Sequence, residues 1–349
     1  MRRRPFLAAL PALAFAREAL GLPPRRMAFP ADHGAHPDLR TEWWYVTGHA
    51  QEGGRSFGFQ VTFFRSRVDA AQPLQSRFAA KQLLFAHAAV TDVQGGKLWH
   101  DQRIARAGFG IAEAATGAAK LRLRDWSLQR DGDTWHAVLP AQGFALDLRC
   151  TATQPVLLQG RQGLSRKGPD PAQASYSYSE PQLAVTGRLS LQGRSFQVTG
   201  KAWMDHEWSE ALMHPDAVGW DWIGMNLHDG SALTAFRLRR KDGGTLWDGG
   251  SFRGASGAVS IASRGETEFI PVRRWTSPAS NAAYPIEWTV RTAAGAYTVR
   301  ALLPNQELDS RASTGAIYWE GLSDLVDSQG RTVGRGYLEM TGYASRLRL

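Results

Sequence analysis

Apolar residues recur at every second position in short runs along most of this chain, and that period decides what it can fold into. The runs include Trp43-Trp44-Tyr45-Val46-Thr47, Ser56-Phe57-Gly58-Phe59-Gln60-Val61-Thr62-Phe63-Phe64 and Leu83-Leu84-Phe85-Ala86-His87-Ala88-Ala89-Val90. Turn-forming segments such as Glu52-Gly53-Gly54, Gln94-Gly95-Gly96 and Arg130-Asp131-Gly132-Asp133 separate them. The same texture resumes after residue 180, and convincing helical periods are few. Many short antiparallel strands with regular turns predict barrels or sandwiches. A chain of 349 residues is generous for one small barrel and comfortable for two. A Gly/Pro/Ser/Tyr-rich stretch, Gly160 to Pro181, interrupts the pattern and reads as a long functional loop. The strands from Gly187 to Trp203 either close a first barrel or begin a second.

Several classes of protein are excluded early. A single cysteine, Cys150, leaves no intramolecular disulfide and no cysteine-built metal cage. No P-loop and no strand-borne G-x-G-x-x-G is present, so no nucleotide cofactor is expected. The net charge of +9 is spread along the chain without a basic block or a Cys/His finger, and nucleic acid is not expected as a partner. Three of the arginines open the chain. Arg3-Arg4-Pro5-Phe6-Leu7, the apolar stretch to Ala16 and the small-x-small Ala14-Phe15-Ala16 form an export leader of the twin-arginine type over residues 1–16. A linker over 17–37 follows. No apolar run is long enough for a spanning helix, so any membrane contact is expected to be peripheral.

The residues able to carry chemistry are clustered among the 13 tryptophans. In Glu42-Trp43-Trp44-Tyr45, strand alternation puts Glu42 and Trp44 on one face and Trp43 and Tyr45 on the other. In Trp203-Met204-Asp205-His206-Glu207-Trp208, Asp205 and Glu207 share a face, and His206 and Trp208 share the opposite one. Three adjacent ionisable groups between indoles are costly to bury unless paired. Two carboxyls on one face raise one another's pKa, as a general acid requires. In Gly219-Trp220-Asp221-Trp222 the indoles share a face and Asp221 points away. Tyr318-Trp319-Glu320 and the phenols and hydroxyls of Ser175-Tyr176-Ser177-Tyr178-Ser179 complete the set. His33 and His36 are the closest histidine pair. Asp205, His206 and Glu207 cannot all reach one ion from a regular strand, so no metal is expected.

These motifs together resemble the carotenoid 1,2-hydratase/AttH-like family. The resemblance rests on Phe29-Pro30-x-Asp32-His33-x-x-His36, Thr41-Glu42-Trp43-Trp44-Tyr45-Val46-Thr47-Gly48, Tyr176-Ser177-Tyr178-Ser179, Gly200 to Trp208, Gly219 to Trp222, Tyr318 to Gly321 and Gly336 to Tyr343. It implies an all-β fold of two lipocalin-like (calycin) antiparallel barrels, assigned to residues 38–208 and 209–349. It implies a hydrophobic isoprenoid or lipid-like ligand and a hydro-lyase that adds water across a C=C bond by acid catalysis. Asp205, His206 and Glu207 are then the catalytic candidates, with Asp205 the first choice as proton donor and His206 the second. Glu42, Trp44, Tyr178, Trp208, Trp220, Asp221, Trp222, Tyr318, Trp319 and Glu320 are the ligand-binding candidates. The strand after Trp220-x-Trp222, Ala232 to Arg239, holds no carboxylate, where related hydratases place an acidic group. The alternative is a non-catalytic, periplasmic or membrane-peripheral carrier working with an ABC-type export permease.

Overall fold

The computed structural model describes residues 21–347. The leader read in residues 1–16 and the start of the linker lie outside the described residues. Among the described residues the only helical elements are two three-residue 3-10 turns, Ala31–His33 and Asp69–Ala71. The rest of the regular structure is antiparallel β, in one sheet of 13 strands and one of 10. The first sheet ends with the Arg194–Ala211 strand and the second starts with Ala217–Leu227.

Each sheet curls on itself, because its inward side chains converge on a single apolar core. In the first sheet, Leu84 and Ala86 from one end of the strand order meet Leu121, Leu123 and Trp126 from the other. The second sheet wraps Ile223, Met225, Trp288, Val290, Trp319 and Leu338 in the same way. Such alternation of inward apolar and outward residues is what a barrel demands of every strand.

The Gly187 to Trp203 segment belongs to the first sheet and joins its two halves. Arg194–Ala211 lies between Thr41–Glu52 and Ala174–Leu191, so residues more than 150 positions apart are direct neighbours, with Trp44 opposite His206 and Tyr45 opposite Asp205. One expectation needs correction. The loop read from Gly160 to Pro181 is shorter, because an 18-residue strand, Ala174–Leu191, begins inside it. Ser175 to Ser179 are therefore strand residues and are all buried. The alternation of serine and tyrosine is itself a period-two pattern, with hydroxyl-bearing side chains in place of aliphatic ones.

The two sheets dock through polar side chains. Gln60 donates to Tyr318 Oη at 3.1 Å and to Glu320 Oε2 at 2.7 Å. Thr91 donates to Gln306 at 2.9 Å, and the backbone N–H of Gln182 to Asn226 at 2.7 Å. Between these contacts lies a largely apolar cavity.

Candidate active site between the two sheets

The Arg194–Ala211 strand sorts its titratable residues by parity. His206 and Trp208 point into the first barrel. Asp205 and Glu207 point out of it, toward the second sheet. The same rule acts on the partner strands: Glu42, Trp44, Tyr176 and Tyr178 turn inward, while Trp43, Tyr45, Ser177 and Ser179 turn outward.

The inward set is a closed ionic network. Glu42 is fully buried. Its Oε1 accepts from His206 Nε2 at 2.9 Å and from His36 Nδ1 at 2.7 Å, and its Oε2 from Arg65 Nε at 2.7 Å. Burial alone would raise the Glu42 pKa, but the donors from His206 and His36 and the Arg65 charge overcome it and hold the carboxyl at about 2. The rings are clamped as well. His206 stacks on Trp44 with centroids 4.5 Å apart, and His36 lies flat on Trp208 at 3.9 Å. Burial lowers the pKa of His206 against the pull of Glu42. Burial likewise holds His33, hydrogen-bonded to Tyr178 Oη at 2.6 Å, down at about 3.

Ligand atoms of His36, Glu42 and His206 lie within 4.8 Å of one another, so these three could grip a cation. Their lone pairs and protons are committed to each other, however, and the Arg65 guanidinium already neutralises Glu42. A more polar cleft of about 520 Å³ opens beside this network, with Phe29, His33, Arg130 and Glu180 in its wall.

The outward set lines a cavity of about 240 Å³, larger than the ~150 Å³ that accommodates benzene in an engineered protein core. Its walls are chiefly aromatic and aliphatic: Trp43, Phe64 and Phe85 from the first sheet, Trp220, Trp222, Phe236 and Leu238 from the second. Carboxyls reach it from both sides. Asp205 and Glu207 come from the first sheet, Glu320 and Glu339 from the second. Glu320 and Glu339 are directly opposite one another on adjacent strands, where two like charges repel.

Asp205 is held at one oxygen only. Its Oδ1 accepts from Ser179 Oγ at 2.5 Å and Trp203 Nε1 at 2.7 Å. Ser179 in turn accepts from Gln159 (2.8 Å), and Gln159 from Ser251 of the second sheet (2.9 Å). Burial pushes the Asp205 carboxyl up to about 7, although Ser179 and Trp203 favour the carboxylate. Glu339 is also pushed up to about 7 by burial, with Asp205 and Glu207 adding to the rise and Trp220 opposing it. Burial drives Glu320 well above the usual carboxylate range, helped by Glu339. The ammonium of Lys167 sits 3.0 Å from Glu207 Oε1. The cavity therefore sets three carboxyls of raised proton affinity beside one that faces an ammonium.

The sequence-derived site residues divide accordingly. Asp205, Glu207, Trp220, Trp222, Tyr318 and Glu320 come together around the cavity. His206, Glu42, Trp44, Tyr178 and Trp208 do not line it, because strand parity buries them in the first barrel. Asp221 and Trp319 are turned into the second barrel. Asp221 there accepts from Arg237 Nε at 2.7 Å and Tyr343 Oη at 2.8 Å, and Trp319 donates to Pro304 O at 2.8 Å. Sequence reasoning missed Glu339, Tyr45, Gln60 and Lys167. Glu339 and Tyr45 stand in the quoted motifs, and Tyr45 was already assigned to the face opposite Glu42. His87, in the run Leu83 to Val90, is buried at the cavity wall. It bonds Tyr318 Oη and Ser313 Oγ, both at 2.8 Å.

The AttH-like family model matches residues 21–343, and the chain belongs to that family. Among solved structures it is similar to an AttH candidate from Nitrosomonas europaea, at 45% identity, with a TM-score of 0.87, over 93% of this chain and 99% of the other. It shares its fold with kievitone hydratase from Nectria haematococca (13% identity, TM-score 0.70, 92% and 94% covered). It also shares it with CghA, solved with Sch210972 (15%, TM-score 0.51, 86% and 88%). No curated protein matches the chain.

Proposed function

We propose that the protein hydrates a carbon–carbon double bond of an apolar, isoprenoid or lipid-like substrate held between the two sheets. The observation that carries this reading is the free Oδ2 of Asp205, on a carboxyl poised to keep its proton, facing an aromatic-walled cavity next to the Lys167-paired Glu207 carboxylate.

An isolated trisubstituted alkene is a weak base, so its protonation needs an acid held neutral in a dry site. Asp205 delivers its Oδ2 proton to the less substituted carbon, and the π pair forms the new C–H bond. The positive charge is left on the tertiary carbon, where indole and phenol faces stabilise it. Water adds its oxygen lone pair to that carbon. Glu207 takes the released proton, which returns to the Asp205 carboxylate and completes the cycle. The sum is alkene plus water to tertiary alcohol. The fold shared with kievitone hydratase supports the reading at the level of the scaffold. A carotenoid is one substrate of this class, and an acyclic isoprenoid with a terminal trisubstituted alkene is the probe of choice.

Incubation of such isoprenoids in ¹⁸O-labelled water, followed by mass spectrometry, tests the proposal. Incorporation of one labelled water by the native protein, lost in Asp205→Asn while tryptophan quenching still reports binding, is the expected result. Binding by the native protein with no labelled product across the panel overturns it and leaves a ligand carrier. Export rests on the leader sequence alone; N-terminal sequencing of the protein from an envelope fraction tests it.

A further inference from the structure

Large apolar side chains are unevenly spread over the surface. Five of the nine exposed ones among the described residues, Leu74, Phe78, Ile104, Phe109 and Ile111, belong to one end of the first sheet. Phe78, in the connection between Arg55–Arg67 and Gln82–Asp92, is 63% exposed. Its ring lies parallel to that of Phe109, in the turn after Lys97–Arg106, with centres 5.6 Å apart. The guanidinium carbons of Arg77 and Arg106 both stand within 5.9 Å of both ring centres. Neither arginine pairs with a carboxylate among the described residues, nor does Arg124, whose backbone N–H donates to Ile111 O. The carboxylates of the same segments face other arginines: Asp69 faces Arg67, Glu113 faces Arg122 and Asp125 faces Arg103.

This face continues into the wall of the cavity. Phe64, Phe85 and Ile104 stand directly opposite one another on three adjacent strands. Side chains so placed share one face of a sheet and touch. The first two line the cavity, and the third is exposed on the edge strand. Arg106, two residues along from Ile104, projects from the same face.

Exposed rings and aliphatic groups among unpaired guanidiniums match a surface that is anionic outside and apolar beneath. A second copy of the chain would set these arginines against their own kind. A soluble polyanion would meet the arginines and leave Leu74, Ile104 and Ile111 uncovered. We propose that this end of the first sheet docks on an anionic lipid bilayer. The apolar side chains enter the headgroup boundary, and Arg77, Arg106 and Arg124 meet lipid phosphates. The row from Ile104 through Phe85 to Phe64 then leads from the bilayer into the cavity. The inference goes beyond the proposed reaction and stands or falls without it.

The test is flotation of the full chain with vesicles of phosphatidylcholine alone and of phosphatidylcholine mixed in equal parts with phosphatidylglycerol. Binding to the mixed vesicles, weakened by high salt and at least about tenfold weaker on the neutral ones, is the expected result. Arg77→Gln combined with Arg124→Gln should weaken it about thirtyfold, roughly fivefold for each guanidinium. Phe78→Ser combined with Phe109→Ser should weaken it by about tenfold or more. The basic start of the chain is common to all variants, so these differences report the face alone. A second readout leaves every ring and arginine in place, so a misfolded variant does not decide the matter. A polarity-sensitive dye on Gln75→Cys should shift to the blue on the mixed vesicles. The same dye on Ser328→Cys, in the turn at the far end of Ala316–Val326, should not. Cys150 is buried and does not compete for the label. Equal binding to both vesicles, equal dye shifts at the two positions, or full binding by both double variants overturns the inference. So does a dimer in solution that Phe78→Ser with Phe109→Ser dissociates, which would assign the face to a second copy.

Discussion

Asp205 and His206 are adjacent in sequence and enclosed by the same sheets, yet they belong to two regions with opposite electrostatics. On the inner side of the strand, Glu42 is surrounded by donors and one guanidinium and stays ionised down to about pH 2. On the outer side, Asp205 accepts two neutral hydrogen bonds and keeps its proton to about pH 7. Burial opposes ionisation in both places. What separates them is the supply of positive charge: Arg65 stands within 2.7 Å of Glu42, whereas the nearest ammonium on the Asp205 side is taken by Glu207. Depth of burial therefore does not tell a structural carboxyl from a reactive one; the account of nearby cations does.

The contrast can be broken first at Asp205. Asp205→Asn should lower the hydration rate by about 10²–10⁴-fold, the range of a lost general acid, with binding retained by fluorescence quenching. His206→Gln should cost stability before it costs chemistry, since its ring touches the network and not the cavity.

The corresponding change on the inner side is Glu42→Gln. It leaves Arg65 buried without its counter-charge, and such a loss costs about 3–5 kcal/mol. Urea denaturation should show that drop, with a lower midpoint and an unchanged slope.

The two regions also predict opposite pH dependences. Glu42 binds its proton less readily folded than unfolded, so its contribution is lost as pH falls from about 4.5 to about 2. Asp205 and Glu339 bind theirs more readily folded. Stability from them is full below about pH 4 and is lost as pH rises toward about 7. Asp205→Asn removes one of these terms. Its stability should exceed that of the native protein at pH 8 and converge with it near pH 4, as measured by thermal melts across that interval.

The smallest effect expected is that of Ser179→Ala. Deleting a donor that favours the Asp205 carboxylate raises the Asp205 pKa further. The alkaline limb of the rate profile, set near pH 7 by the need for a protonated acid, should move upward by about one pH unit or less.

Much of this contrast is written in the sequence. Period-two alternation alone separates Glu42 and Trp44 from Trp43 and Tyr45, and Asp205 and Glu207 from His206 and Trp208, and the structure keeps each of those groupings. It cannot say which face meets a barrel core and which meets the other sheet, since both faces are rich in aromatics. Nor can it reveal that Glu339, more than 130 residues along the chain, would share a cavity with Asp205. The Ser175 to Ser179 segment was hidden for a related reason: its serines and tyrosines look like loop composition until their hydroxyls find partners such as Asp205 and His33. Asp221 shows the reverse case. The indoles beside it do reach the cavity, and only the alternation within Trp220-Asp221-Trp222 indicates that it turns to Arg237 instead.

Asp205 and Glu339 are carried by different sheets, and the Asp205 carboxyl helps to raise the proton affinity of Glu339 across the junction. Acid strength in this cavity is therefore a function of how far apart the two barrels stand. Any change in that spacing would change how tightly Glu339 holds its proton.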